Sequence, residues 1–189
     1  MSSPAAGRGP SPEGSAEPLS LSPSSYLVLG LIARHGPMTP YALKIRSGES
    51  VGPFWSFPHA QLYSEPDRLA RGGLLSEERE PGGRRRRTFH LRPAGRRVLD
   101  EWLGDPGTEP AQLRDPALLK LSFADLGDEE GVRRLAERQG EAHRARLADY
   151  RRRAEELTDT PEDTARRRVL TIAVCIEEAH LAFWRSLLD

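Results

Sequence analysis

The sequence predicts a mainly α-helical fold with one small β-hairpin. Apolar residues recur at helical spacing through most of the chain from residue 24 onward, which is typical of amphipathic helices. Two short segments, 74–80 and 86–91, read as strands, and the residues between them, 81–85, include the turn-forming Pro81-Gly82-Gly83. Residues 1–23 hold five prolines and little that could be buried, so we expect a disordered tail.

Three helices are predicted before the hairpin and one directly after it. Thr39 followed by Pro40 combines an N-cap residue with proline at the first helical position. The Ser24-Ser25 pair is the candidate cap of the first helix, and Pro66 is expected to bend the third. The predicted helices cover residues 26–33, 40–48, 58–71 and 93–103.

The second half of the chain is predicted to be a separate helical domain. A segment with Pro106, Gly107 and Pro110 is typical of a linker. The division that follows is 1–23 as tail, 24–103 as first domain, 104–113 as linker and 114–189 as second domain. Within the last of these, helices are expected at 114–126, 128–158 and 161–188.

The composition excludes several classes of protein. With 28 basic and 28 acidic residues the formal charge is 0, so any binding of nucleic acid must come from a local concentration of charge. A single cysteine excludes an intramolecular disulfide and a multi-cysteine zinc site, and Cys175 is expected to be a buried packing residue. The longest apolar run, 169–176, is far short of the ~18–20 residues that span a bilayer. We therefore expect a reduced, cytoplasmic protein without a membrane segment.

No motif of an enzyme is present in the sequence. The chain has no glycine-rich phosphate loop, no nucleophile elbow and no paired-carboxylate motif. The five histidines show no partner at the spacing of metal ligands. The expectation is a protein that is not an enzyme and holds neither a metal nor a cofactor.

The order of helix, helix, helix, basic hairpin and helix predicts a winged helix-turn-helix, whose third helix is shaped for the DNA major groove. Residues 84–97 contain seven arginines and no acid. Guanidinium groups bind phosphate well, so these arginines favour DNA contact by the wing. The alternative is a solvated run of charge beside a turn.

Residues 24–103 contain a set of short motifs: Tyr26 to Ile32, Gly36-Pro37, Pro40 to Leu43, Gln61 to Tyr63, Gly73 to Leu75 and Arg87 to Leu91. In this combination the motifs resemble those of the PadR-type transcriptional regulators. A second, looser resemblance joins Arg114-Asp115-Pro116, Lys120 to Phe123 and Phe183-Trp184 to the helical dimerisation region of the virulence-activator-like members.

The resemblance implies DNA contacts from the third helix, at His59, Gln61, Tyr63, Ser64 and Arg68. Glutamine can pair with adenine, and tyrosine can meet a phosphate or a thymine methyl group. For Tyr63, packing against the wing is an equally simple role. Two further sets of expected contacts follow from position and charge: Tyr41 and Lys44 in the N-terminal part of the second helix, and Arg84, Arg85, Arg86 and Arg87 on the wing.

Several large apolar residues have two interpretations. Ordinary core and dimer packing is the simpler one for Trp55, Trp102, Phe123 and Trp184, together with Phe54. The functional interpretation is an apolar pocket for a small aromatic effector between the two domains. The last helix is apolar around more than half its circumference, which predicts a homodimer through Val169, Ile172, Ile176 and Phe183.

The expected function is sequence-specific binding of double-stranded DNA by a homodimeric repressor at a palindromic operator, with release by a small ligand. The alternative is a protein-interaction adaptor whose winged domain does not bind DNA. Net neutrality and the acidic Glu65 and Asp67 on the third helix keep this alternative open, whereas the run Arg84–Arg87 argues against it.

Overall fold

The computed structural model describes residues 19–52, 55, 58–80 and 86–189. Five predictions fall outside these residues: most of the N-terminal tail, the role of Phe54, the turn at 81–85, and the DNA contacts of Arg84 and Arg85. The side chain of His59 also lies outside the described part of the chain.

The first half of the chain folds into the predicted order of helices and strands. Strands β1 (Leu75–Arg79) and β2 (Arg87–Leu91) form an antiparallel hairpin in which Leu75 pairs with Leu91 and Arg79 with Arg87. The prediction of a mainly helical fold with a winged hairpin is confirmed. The helices are α1 (Pro23–His35), α2 (Pro40–Ser50), α3 (His59–Arg71) and α4 (Pro93–Gly104).

The start of α1 differs from the prediction. Ser22 is the N-cap, and its backbone N–H donates a hydrogen bond to Ser25 Oγ at 2.9 Å. Ser24 and Ser25 are buried within the first turn. The helix begins earlier because proline, here Pro23, fits the first helical position, where an N–H has no intrahelical partner.

Glycines at two points let the winged half close around its core. Gly73, with φ +74°, ends α3, and the N–H of Leu74 donates back to Leu69 O at 2.9 Å, which turns the chain into β1. A Cβ at Gly95 would clash with Leu74 O, so α4 approaches the residue that precedes β1 as closely as it does only because of this glycine. The enclosed core includes Val28, Leu29, Ile32, Leu43, Leu62, Leu69, Leu75, Phe89 and Leu99.

The second half is dominated by two long antiparallel helices, α6 (Glu129–Glu155) and α7 (Pro161–Ser186). The single helix predicted at 114–126 is wrong: α5 (Pro116–Leu121) is followed by a separate 3-10 turn, Ala124–Leu126. Phe123 separates them because its φ of −119° and ψ of 23° leave the helical region.

The face of α7 toward α6 consists of Leu170, Ala173, Glu177, Leu181 and Trp184. Opposite it on α6 lie Ala136, Gly140, His143, Leu147 and Tyr150. Glu177 is buried and is paired with His143, whose Nδ1 lies 2.6 Å from a carboxylate oxygen. Neither long helix, nor any other helix within the described ranges, has the apolar length that crossing a bilayer requires.

Candidate nucleic-acid interface

Among the described side chains of α3, those on the outward surface are polar. Both acidic residues of the helix have an ion-pair partner. Gln61, Ser64 and Arg71 are exposed, and Tyr63 is 45% exposed. Leu62 and Leu69 lie on the opposite side in the core. Arg71 was not among the predicted contacts, although its place at the end of the helix, three residues after Arg68, could have indicated it.

All three guanidinium nitrogens of Arg68 donate hydrogen bonds within the protein, which argues against the predicted DNA contact. Its Nε donates to Glu65 Oε2 at 3.0 Å and its Nη2 to Glu65 Oε1 at 2.6 Å. Its remaining nitrogen, Nη1, donates to the carbonyl of Ser20 at 2.7 Å, and Nη2 also reaches Ser25 Oγ at 2.8 Å. The guanidinium turns inward because a nearly buried carboxylate requires a charged partner.

Glu65 joins α3 to α1. Glu65 as a whole residue is 8% exposed, and its carboxylate accepts a hydrogen bond from Ser25 Oγ at 2.6 Å in addition to those from Arg68. Burial alone would raise the pKa of Glu65, but the hydrogen bonds from Arg68 and Ser25 lower it below its ordinary value of 4.5. Glu65 is therefore charged and part of the fold, not of an acidic outer surface.

The wing divides its arginines between two roles. Arg86 precedes β2 and is exposed. Arg87 points inward: its Nη1 donates to Asp67 Oδ2 at 3.3 Å and its Nε to Glu77 Oε1 at 2.5 Å. Hydrogen bonds from Arg79 and then Arg87 lower the pKa of Glu77 to about 2. Because two carboxylates already share its guanidinium, this arrangement argues against the expected phosphate contact of Arg87.

The N-terminal part of α2 presents the two residues that were predicted there. Thr39 caps the helix by accepting a hydrogen bond from the N–H of Ala42 at 3.2 Å. Tyr41 is 66% exposed and Lys44 half-buried, and Lys44 has no ion-pair partner among the described residues. Both remain predicted phosphate contacts.

A cavity of about 660 Å³ lies between the winged half and α7. Tyr26 of α1 and Trp102 of α4 form part of its wall and stack with ring centroids 4.5 Å apart and planes 9° from parallel. Trp55 also lines it. Three arginines lie around this largely apolar wall: Arg34, Arg96 and Arg166.

Only two of the four aromatic residues predicted for an effector pocket share this cavity. Phe123 lines a different and smaller one between α5 and α6. Trp184 is fully buried against Ala117 and Ala136, so it belongs to the core of the helical half. The prediction missed Tyr26. Its helix is apolar on most sides, so the sequence does not show that this residue faces a cavity.

An apolar stripe on α7 is left uncovered. Ile172, Ile176 and Phe183 are 57%, 49% and 40% exposed, and they lie off the face that packs on α6. Val169, predicted as a dimer contact, instead lines the cavity beside α1 and α4. Cys175 is exposed, contrary to the expectation, because it too lies away from the α6-facing side.

No three histidine, cysteine, aspartate or glutamate side chains come together as a metal site within the described ranges.

Two family models match the chain and leave out only its N-terminal segment and the connection between its halves. The model for the PadR-like family of transcriptional regulators matches residues 28–101, and that for the virulence activator alpha C-terminal region matches residues 113–189. Residues 28–101 are therefore a PadR-like domain. The resemblance seen in the sequence is confirmed for both halves of the chain.

Relatives in Bacillus subtilis support the same assignment. The negative transcriptional regulator PadR is 26% identical over an alignment of 172 residues, and the match covers 86% of this chain and 94% of that protein. The crystal structure of Bacillus subtilis PadR in complex with operator DNA has a TM-score of 0.77 at 27% identity and covers 87% of this chain and 96% of that one. The crystal structure of the same protein in complex with p-coumaric acid has a TM-score of 0.73 at 25% identity, with 87% and 95% covered.

Proposed function

We propose that this PadR-family regulator is a homodimeric repressor that reads a palindromic operator through α3 and the wing. The observation that carries the proposal is the charge arrangement of α3. Both of its acids are withdrawn into internal pairs, Glu65 with Arg68 and Asp67 with Arg87, which leaves Gln61, Ser64 and Arg71 outward. This arrangement removes the acidic surface on which the adaptor alternative depended.

Each part of the surface has a distinct task on DNA. A glutamine side chain can make paired hydrogen bonds to adenine N6 and N7 in the major groove, which assigns base reading to Gln61. Arg86, Tyr41 and Lys44 flank α3 on the wing and on α2, where they fit phosphate contacts that position the helix without specifying sequence. His59, Tyr63 and Ser64 complete the proposed set.

The second half of the chain supplies the dimer. The uncovered stripe of Ile172, Ile176 and Phe183 is the surface that a second copy would bury, since large apolar patches seldom stay exposed on a monomer. A two-fold dimer presents two α3 helices to half-sites about 34–36 Å apart, one turn of DNA. We assign residues 24–103 to DNA binding and 114–189 to dimerisation, with 104–113 as the linker; the regulator acts with its DNA in the cytoplasm.

The cavity between the halves fits a small planar effector. The stacked rings of Tyr26 and Trp102 offer an apolar surface for an aromatic compound, and Arg34 and Arg96 could attract an acidic group on it. Because α1 and α4 form one wall and α7 another, a ligand bound there would favour one angle between the two halves. Release of DNA follows if that angle changes the spacing of the two α3 helices.

Binding to DNA is tested with the full-length protein and a fluorescent duplex from the region upstream of its own coding sequence. We expect tighter binding to this duplex than to a scrambled one, with affinity for both falling as salt rises. Equal affinity for the two duplexes would contradict sequence-specific reading. Absence of binding to either would favour the adaptor.

The effector site is tested by adding p-coumarate, the probe suggested by the relative's structure, to the preformed complex. Loss of the complex with wild type, but not with Trp102→Ala, is the expected result. Phe123→Ala is the matched control, because Phe123 lines the other cavity. If Phe123→Ala and Trp102→Ala respond alike, the effector does not use this cavity.

A further inference from the structure

Side chains alternate between the two faces of the hairpin. On the face toward α3 they form three layers, each made of one cross-strand pair. Leu75 pairs with Leu91, Glu77 with Phe89 and Arg79 with Arg87, and all six side chains share that side. The layer nearest the core is apolar, and Phe89 is fully buried. The layer nearest the hairpin turn consists of two arginines, so charge replaces apolar contact where the wing leaves the core.

Arg87 spans the gap between the wing and α3. Its two terminal nitrogens both reach the carboxylate of Asp67 on α3, and its Nε reaches Glu77 on β1. The guanidinium carbon lies 5.3 Å from the centroid of the Phe89 ring. Every nitrogen of the guanidinium is therefore engaged, and the planar group joins three parts of the winged half.

Among the described residues, Arg87 ties the outer end of the wing to α3. A two-stranded hairpin of this size is marginal by itself, so its orientation depends on what it packs against. At the inner end the backbone of Met38 pairs with Phe89 through hydrogen bonds of 3.0 and 2.8 Å. Toward the turn, the contacts of Arg87 with Asp67 take over.

We propose that Arg87 and Asp67 form a clamp that sets the position of the wing relative to α3, and that Arg87 is a positioning residue for DNA reading. The proposal rests on the proposed function, since the clamp matters to DNA only if α3 and the wing bind it together. With the clamp closed, bases read by α3 and phosphates bound by the wing are held at one fixed separation. Without it, the wing can still meet phosphates, but not in register with α3.

Because Asp67 is negatively charged, replacing it distinguishes the clamp from a simple effect of charge on DNA binding. Asp67→Asn removes a negative charge beside the DNA surface, so electrostatics alone would tighten binding to every duplex. Loss of the clamp has the opposite effect on the operator and little effect on random DNA. The two explanations therefore predict opposite signs for the same variant.

The experiment measures the affinity of the full-length variant Asp67→Asn for the operator duplex and for a scrambled duplex. We expect the ratio of the two affinities to fall about tenfold through weaker operator binding. Asp100→Asn is the matched control, because Asp100 also pairs with an arginine, Arg96, at 2.9 Å, and its loss changes the charge equally. An unchanged ratio, with both affinities raised together, would overturn the proposal.

Arg87→Lys provides a second variant that keeps the charge. Lysine serves a phosphate contact well but cannot bridge two carboxylates with a planar group. The clamp predicts that Arg87→Lys lowers the affinity ratio as Asp67→Asn does, and that the double variant is no worse than either single one. A normal ratio for Arg87→Lys would restore Arg87 as a phosphate contact and overturn the clamp.

A measurement without DNA separates the clamp from the proposed function. Hydrogen exchange of the free full-length protein should be faster across 87–91 in Asp67→Asn than in wild type and unchanged there in Asp100→Asn. This difference is expected even if the operator duplex proves not to be bound. Equal exchange in all three proteins would overturn the clamp whether or not the protein binds DNA.

Discussion

Replacing Glu65 by alanine tests the assignment of the Glu65–Arg68 pair to the fold. The change removes three hydrogen bonds to the carboxylate, two from Arg68 at 3.0 and 2.6 Å and one from Ser25 at 2.6 Å. The guanidinium keeps only Ser25 and the carbonyl of Ser20 as partners. The variant therefore leaves a partly buried positive charge without its counter-charge.

The expected decrease in the free energy of unfolding is about 3 kcal/mol, the lower end of the range for removing one member of a buried ion pair. The lower end applies because the Arg68 side chain is 30% exposed, so water can replace part of the missing interaction. This decrease should come with little change in the ratio of operator to random DNA binding, since the Arg68 guanidinium is turned toward Glu65, Ser20 and Ser25.

Urea unfolding of the full-length protein at neutral pH measures the decrease. Glu49→Ala is the control, because Glu49 also pairs with an arginine three residues away, Arg46 at 3.0 Å, but on the surface. The control should be destabilised by less than about 1 kcal/mol. A destabilisation by Glu65→Ala no larger than that of the control would refute the assignment.

The same pair predicts a pH dependence. Because the pKa of Glu65 is lowered in the folded state, its contribution is complete above about 4.5, the ordinary value, and declines as pH falls through the lowered pKa. The difference in stability between wild type and Glu65→Ala should therefore shrink in acid. A difference that grows as pH falls would contradict the direction of the shift.

Three further predictions concern the interface and the dimer. Gln61→Ala should weaken operator binding by ~1–3 kcal/mol more than binding to scrambled DNA in fluorescence anisotropy, and equal effects on both would assign Gln61 to the backbone or to folding. Replacing Arg84–Arg86 by alanine should weaken binding to both duplexes and reduce the salt slope by up to ~0.9 for each phosphate that the wing no longer binds, and an unchanged slope would mean a solvated turn. Ile172→Asp with Ile176→Asp should convert a dimer to a monomer in sedimentation, whereas the exposed Thr171→Asp on the same helix should not, and a monomeric wild type at micromolar concentration would contradict the assignment.

The sequence predicted the fold where the determining signals are local. Each of these signals acts on residues a few positions away: the cap at Thr39, the glycines that end α3 and the turn residues of the hairpin. The predicted boundaries of α2, α3 and the strands are therefore close to those observed. At 114–126 an apolar pattern continued past the point where the backbone leaves the helix at Phe123, and the prediction of one helix was wrong.

The roles of individual arginines depend on partners that are distant in the chain. Arg86 and Arg87 are neighbours in a uniform basic run, yet the alternation of β2 directs Arg87 toward Asp67, 20 residues away. For Arg68 a local signal did exist, since Glu65 precedes it by three residues on the same helix.

Trp184 and Ile172 show why the apolar stripes of α7 could not be assigned from sequence. Apolar residues surround most of this helix, so its periodicity does not show which side meets α6. The packing decides: Trp184 faces α6 and Ile172 does not. Only the complete arrangement of helices shows which stripe is left for a second copy.

Hydroxyl-radical footprinting of the full-length protein on its operator tests the central claim most directly, namely that a dimer places two α3 helices in successive major grooves. We predict two separate protected patches that are symmetric about a dyad and lie about 10–10.5 base pairs apart. The monomeric variant Ile172→Asp, Ile176→Asp should lose this paired pattern at the same protein concentration. A single protected patch for wild type, or protection without a dyad, would contradict the dimeric reading of DNA.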